Sequence, residues 1–464
     1  MGSALVKLAI LVTALVSLFA PWIGVIAGHI VSVMTPQDIW WWDFLGMRPS
    51  FDVMVPVLIG FSIALLRGNA KLSRLNTPIN KMVVSLWAFF SISLLFGPYV
   101  DVVNQWRFFN PDVAYATISK VFLSYFVAAV LLDDTKKVRW AALVMIVTFV
   151  YMTYWANAQY YIHHVYGRLH GPQSITGGGI YYDQNYFAVL FVTGAPFLYF
   201  LSKSLKYKFA SLLAATIVLL SWNAIFLTAS RGALVALVSM ILIFVLRSKK
   251  KYIGLAVVAL LGLAYWHDGG SIMKKRATTI TNYSVSQSAE DRLESWRAAT
   301  RMMEAHPFTG VGFASFGQAY PTYSSHRPHI AHNTFFQIGG ECGIFAGVLY
   351  LLLMGTTLNR LRKNANRLAL ISDDREAQFY YLLNEASFYS LVGFFACAMF
   401  LSLQTYSLWY YLLLMANLAL SKNPEAFKSG YGVRVTEGVA RSGDDFVSAT
   451  SEEMNLHITS CVAP

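Results

Sequence analysis

Residues 208–247 read KFASLLAATIVLLSWNAIFLTASRGALVALVSMILIFVLR, two long apolar runs divided by the polar turn T-A-S-R-G at 228–232. A helix needs about 20 apolar residues to cross the hydrocarbon core of a bilayer, and these runs approach that length. An arginine between them cannot be desolvated cheaply, so it must reach the interface or meet an anion. The stretch reads as two spanning helices joined by a tight interfacial turn.

The same pattern extends in both directions. Apolar runs recur at 51–66, 82–98, 113–132, 140–158, 185–202, 252–266, 335–358, 383–402 and 405–420. Residues 5–34 add one long tilted span or two short ones broken near Pro21. Counting them as one gives about twelve spans and an all-α polytopic membrane protein. No small-residue cleavage site follows the first segment, which reads as a retained span. The chain is 56% apolar and 13% charged, where a soluble domain has about 25% charged residues. Residues 1–420 contain no polar interval large enough for a typical separate domain and read as one transmembrane domain. Residues 421–464, rich in Gly, Ser and charge, read as a disordered cytoplasmic tail.

The net charge of +12 is dispersed in a way that excludes a nucleic-acid surface. Basic clusters follow alternate spans: Arg67/Lys71/Arg74/Lys81, Lys136/Lys137/Arg139, Lys203/Lys206/Lys208, Arg247/Lys249/Lys250/Lys251 and Arg360/Arg362/Lys363/Arg367/Arg375. The intervening loops carry only Arg48, Arg107, Arg168 and Arg231 outside the longest of them. This is the positive-inside pattern, and with twelve spans it places both termini in the cytoplasm. A thirteenth span would break the alternation unless the two N-terminal segments formed a re-entrant pair. Three regions then face outward: 159–184, the turn at 229–232, and a long helical loop at 267–333. Cys342, Cys397 and Cys461 are too widely spaced for a metal or disulfide motif.

Four polar stretches could carry chemistry. In T-A-S-R-G, Arg231 is either an ordinary interfacial arginine or a fixed guanidinium whose planar fork suits phosphate, with Ser230 and Gly232 permitting close approach. D-R-L-E-S-W-R-A-A-T-R-M-M (291–303) has helical spacing through Arg292, Trp296, Ala299 and Met303. It reads as an amphipathic helix at the membrane surface, on which Arg297 and Arg301 pair with acids or lipid phosphates. H-P-F-T-G-V-G-F (306–313) then implies a specific bend. R-P-H-I-A-H-N-T-F-F-Q-I-G-G-E-C-G (327–343) puts His332 and Asn333 where the long loop enters a span. His332 could accept a proton or merely cap a helix. His326, His329 and His332 lack a carboxylate to complete a zinc set, and no metal is expected. Gly339, Gly340 and Gly343 suggest close helix packing within the bilayer. R-L-H-G-P-Q-S-I-T-G-G-G-I-Y-Y-D-Q-N-Y-F-A (168–188) lacks the Lys-Ser/Thr of a P-loop and reads as a flexible loop leading to Asp183 and Asn185. Lys120 and Glu385, nominally within spans, need a partner or a polar cavity.

These motifs resemble the superfamily of O-antigen ligases, O-antigen polymerases and bacterial protein O-glycosylation ligases. The resemblance rests on Asn185 in D-Q-N-Y-F-A, Ser230–Arg231–Gly232, Arg292 with Trp296, P-F-T-G-V-G from Pro307, and His332–Asn333 leading to Gly343. It covers roughly residues 50–420, while residues 1–60 with W-W-W-D-F look most like an exosortase-associated, ligase-like branch. The resemblance implies a GT-C-type glycosyltransferase of the bacterial inner membrane. It would move a glycan from undecaprenyl pyrophosphate to a lipid A–core sugar on the periplasmic face, without metal or other cofactor. It maps the essential arginines onto Arg231 and Arg292 and the essential histidine onto His332. Arg168, Asn185, Ser230, Trp296, His326 and Asn333 become expected substrate contacts. A growing polysaccharide or a protein is the alternative acceptor. A lipid-glycan flippase is the non-enzymatic reading, disfavoured because no internal repeat is visible.

Overall fold

The computed structural model describes residues 2–248 apart from 166, 174–178 and 206, then 251–252, 255–256, 259, 287–371, 374–422, 425 and 427. Among the described residues the chain is helical, with no strand. The apolar runs become α4 (Pro49–Leu66), α5 (Pro78–Phe96), α6 (Pro111–Leu131), α7 (Thr135–Tyr161), α8 (Gln184–Ser202), α9 (Lys208–Thr228) and α10 (Arg231–Arg247). Their starts follow from local chemistry. Proline, whose fixed φ suits the first helical turn, opens α4, α5 and α6. Side-chain oxygens of Thr77, Asn110, Asp134, Asp183 and Ser230 accept the first free N–H groups, as N-caps do.

Among the described residues seven helices are long and apolar enough to cross a membrane: α4 to α9 and, further on, α14 (Ile344–Leu368). With α10, α15 (Arg375–Ala398) and α16 (Ser407–Ala419) they make a multi-pass membrane bundle. Helix α8 is its centre, 83% buried over its most apolar window. Small residues set the spacing there: a Cβ on Gly194 would lie 2.3 Å from the Phe149 ring of α7, and one on Gly393 of α15 would lie 2.7 Å from Val192. Glu385 is met by Arg247 at 3.3 Å.

Two expected spans are built differently. Residues 5–34 are not one span. They form α1 (Gly2–Ser17) and α2 (Pro21–Met34), followed by the one-turn α3 (Pro36–Ile39), and the chain reverses between α1 and α2. A Cβ on Gly2 would lie 3.7 Å from Trp40, and Lys7 pairs with Asp43 at 3.7 Å, so the start of α1 returns to the level reached after α2. Ser17, at the turn, meets Gly24 and Gly60, partway along α4. The hairpin leaves the amino terminus at the end where residues 40–48 lie, not at the opposite end as a single span requires. The run at 335–358 is likewise broken: α13 (Thr334–Cys342) stops at Gly343, whose φ is 90°, before α14 begins. The run at 252–266, most of the loop before residue 287, and residues 428–464 lie largely or wholly outside the described residues.

The two ends of the bundle differ. At one, Arg74 pairs with Asp133 at 3.0 Å, Lys137 with Asp133, and Lys422 with Glu376 at 3.3 Å. At the other, α11 (Gln287–Ala305) and α12 (Phe316–Tyr323) form a layer over the helix ends. Ala298, Ala299 and Met302 of α11 bury against Val311, Phe316, Ala319, Tyr320 and Ala331. The apolar face of α11 thus packs on the protein itself.

Candidate functional site

Four motif-bearing turns meet at the end covered by α11, and a short segment that carries no motif joins three of them. Residues 399–402, M-F-L-S, follow α15. Asn333 donates from Nδ2 to the Met399 carbonyl at 3.3 Å. Thr334 donates from Oγ1 to the Leu401 carbonyl at 2.8 Å. The Tyr186 hydroxyl donates to the Ser402 carbonyl at 2.6 Å. A Cβ on Gly232 would lie 2.9 Å from Phe400 Cβ. The His332, Asn185 and Arg231 motifs are therefore anchored side by side.

The Arg231 and His332 turns share a local design. Ala229, with φ of 50°, precedes Ser230, whose hydroxyl caps α10 at the Ala233 N–H. His332, with φ of 49°, precedes Asn333, whose Oδ1 accepts from the Phe335 and Phe336 N–H groups. A left-handed residue followed by an N-cap turns the chain sharply into a helix, and non-glycine residues occupy that region at a cost. Arg231 falls in the first turn of α10. Arg168 joins this turn, since its Nε donates to the Thr228 carbonyl at 3.2 Å and the neighbouring Leu169 N–H bonds Leu227 O at 2.9 Å.

Helix α11 brings the second arginine. Trp296 donates from Nε1 to the Ala331 carbonyl at 2.9 Å and stacks on Phe336 at 5.3 Å. His329 meets Asp291 at 3.7 Å. Between these anchors, Arg292 lies close enough to His332 to act on its charge. The His332 pKa falls to about 4, chiefly through burial and then through the Arg292 charge, with Asp183 opposing. The imidazole is therefore neutral near pH 7 and able to take a proton. Arg297 and Arg301 both pair with Glu294 at 3.2 Å, as the sequence suggests. His326 is exposed, and its bond to Ser324 runs through the backbone N–H. The structure thus gathers Arg168, Asn185, Ser230, Arg231, Arg292, Trp296, His332 and Asn333, while His326 stays exposed.

The three glycines of 339–343 allow close packing, against the helical layer over the bundle end. Cβ atoms on Gly339 and Gly343 would collide with Met303 of α11 and with the Pro307 carbonyl, so they seat the α11 layer on α13. The expected bend at 306–313 is realised there, with Val311 and Gly312 N–H groups bonding the Gly340 and Glu341 carbonyls at 2.9 and 3.0 Å.

Some positioning residues were not singled out from the sequence. Gln337 accepts from the Ala331 N–H and the Ser402 hydroxyl, each at 2.8 Å, and donates to Glu341 at 2.8 Å. It clamps the residue before His332 to the 399–402 segment. The available signal was Gln337 and Glu341 at i, i+4 on an otherwise apolar helix. Asp183, which the sequence already places beside Asn185, caps α8 and takes two bonds from Asn185, at 2.6 and 2.8 Å.

No curated protein matches the chain. Residues 1–60 lie outside the family match, so an exosortase-associated branch gains no support from it. That match, to the model described as O-antigen ligase, covers residues 215–351, the stretch containing Arg231, Arg292 and His332, and it supports a likeness of this stretch to the O-antigen ligase/polymerase superfamily.

Proposed function

We propose that the protein is an O-antigen ligase-type transferase that moves a glycan from undecaprenyl pyrophosphate to a sugar hydroxyl of lipid A–core. The observation that carries this reading is the meeting of the Arg231 and His332 turns on residues 399–402, with Arg292 of α11 close to a neutral His332. Arg231 and Arg292 hold the pyrophosphate. The acceptor oxygen bonds to C1 of the donor sugar as the C1–O bond to phosphate breaks. The electron pair leaves with the pyrophosphate, whose growing charge the guanidinium groups stabilise. His332 takes the hydroxyl proton. Attack opposite the leaving group inverts C1. Donor binding also helps the base, because pyrophosphate offsets the Arg292 charge that depresses His332. Arginine electrostatics take the place of a divalent cation. The basic clusters assign their end to the cytoplasm, so the transfer site faces the periplasm of the inner membrane.

The test is to incubate purified protein with undecaprenyl-pyrophosphate glycan and separate acceptors, with and without EDTA. Glycosylated lipid A–core that forms equally in EDTA supports the reading. A lengthened glycan on the carrier would make the protein a polymerase, and a modified Ser or Thr would make it a protein ligase. Turnover lost in EDTA and restored by Mg²⁺ would overturn the arginine-only chemistry.

A further inference from the structure

A cavity of ≈710 Å³ lies between α2, α4, α6 and α16, on the N-terminal side of the bundle and outside the family-matched stretch. Its walls are mostly apolar, with Met54, Leu58, Val121 and Leu414 among them. Two cations line it as well, Arg48 just before α4 and Lys120 near the middle of α6. Both are exposed, and among the described residues neither has an acidic partner. Asp38 lines the same cavity but pairs with neither. Two further lining groups, His29 Nε2 and Gln37 Oε1, are buried without a hydrogen-bond partner.

A lysine in the wall of an apolar cavity at this depth is costly unless something anionic meets it. Side chains on a helix lean toward its N-terminus, so Lys120 leans toward the end of α6 that begins after residue 110, the end at which Arg48 also sits. The result is a polar, cationic upper cavity above an apolar shaft. Orphaned donors and acceptors in such a space are satisfied by a bound polar group. A free phosphate would leave the shaft empty, and a neutral hydrocarbon would leave the cations unmet.

We propose that this cavity binds a lipid with a net-anionic phosphate headgroup, the phosphate between Arg48 and Lys120 and a hydrocarbon chain along Met54, Leu58 and Val121. Two membrane components share that chemistry, an anionic glycerophospholipid and an isoprenoid phosphate. The site is separate from the glycan-transfer site, and its occupancy is read without turnover.

The experiment is native mass spectrometry of the purified full chain. It is offered phosphatidylglycerol, undecaprenyl phosphate or zwitterionic phosphatidylcholine at equal concentration. The parent should retain phosphatidylglycerol, undecaprenyl phosphate or both at least tenfold above phosphatidylcholine. Retention should fall about tenfold in Arg48→Gln/Lys120→Met and return in Arg48 Lys120→Arg. Preference for phosphatidylglycerol alone identifies a glycerophospholipid site, and preference for undecaprenyl phosphate alone a carrier-lipid site. Equal retention of phosphatidylcholine by the parent, or selectivity unchanged in the double variant, would overturn the proposal. The parent result stands even if the variants fail to fold.

Discussion

His332 combines two properties that decide which substitution tests it. Its backbone is left-handed, with φ of 49°, and its side chain is held neutral by burial and by Arg292. Alanine would remove the base but also strain the turn, confounding chemistry with folding. Asparagine tolerates that conformation better than most residues. His332→Asn is therefore expected to keep the fold and donor binding while transfer falls by about 10²–10⁴-fold, the usual contribution of a general base. Carrier-lipid binding and transfer, measured separately, check this; parental transfer would make His332 structural. The pKa adds a stability signature. The folded pKa, about 4, lies below the ordinary 6.5, so between these values the unfolded chain binds the proton and the folded chain does not. Stability contributed at neutral pH is lost as pH falls through that window. The melting temperature should drop less between pH 7 and pH 5 in His332→Asn than in the parent. The residue types were legible in the sequence, because arginine and histidine are conspicuous beside apolar runs. The left-handed turns were not, since Ala229 and His332 carry no glycine-like signal.

At the scale of elements, the long-range seating of α11 on α13 rests on glycines of the 306–313 bend and of α13. Gly310 has φ of 62°, and a Cβ there would lie 2.2 Å from the Glu341 carbonyl carbon. Gly310→Ala combines backbone strain with a collision that neither backbone can relieve cheaply. It is expected to destabilise the protein by about 2–4 kcal/mol and to displace Gln337, Ala331 and the His332 turn. Gly355, within α14, has nothing within 4 Å of its would-be Cβ. Gly355→Ala should be neutral or stabilising by up to about 1 kcal/mol. Melting curves of the two variants in detergent, with transfer measured alongside, separate these outcomes; equal behaviour would mean that the contact at Gly310 is not tight. Helix positions were legible because apolar runs, opening prolines and capping side chains are local signals. The break at Gly343 was hidden because an apolar run reads through it, and the meeting of three turns on residues 399–402 depends on contacts between residues far apart in sequence.

At the scale of the molecule, the hairpin of α1 and α2 reconciles the charge pattern with the fold. Basic clusters that alternate from residue 67 onward require residue 48 to lie opposite them. A single span over residues 5–34 would then put the amino terminus with the basic clusters. The Lys7–Asp43 pair and the approach of Gly2 to Trp40 place it with residue 48 instead. That end also holds Asp38, since a Cβ on Gly179 would lie 3.1 Å from its carboxylate, and Gly179 leads to Asp183 and the transfer site. The amino terminus, the site and residues 287–333 should therefore share one compartment, while residues 137 and 365 share the other. Single cysteines introduced at Gly2, Glu290 and Ser325, and at Lys136 and Arg362, can be probed with a membrane-impermeant maleimide in intact spheroplasts and after lysis, with the three native cysteines replaced. The first group should label in intact cells and the second only after lysis. Labelling of the cysteine at Gly2 with the second group would dismantle the hairpin and restore a single span. Labelling of those at Glu290 and Ser325 with the second group would put the arginines and His332 on the cytoplasmic side, where a periplasmic donor and acceptor cannot reach them.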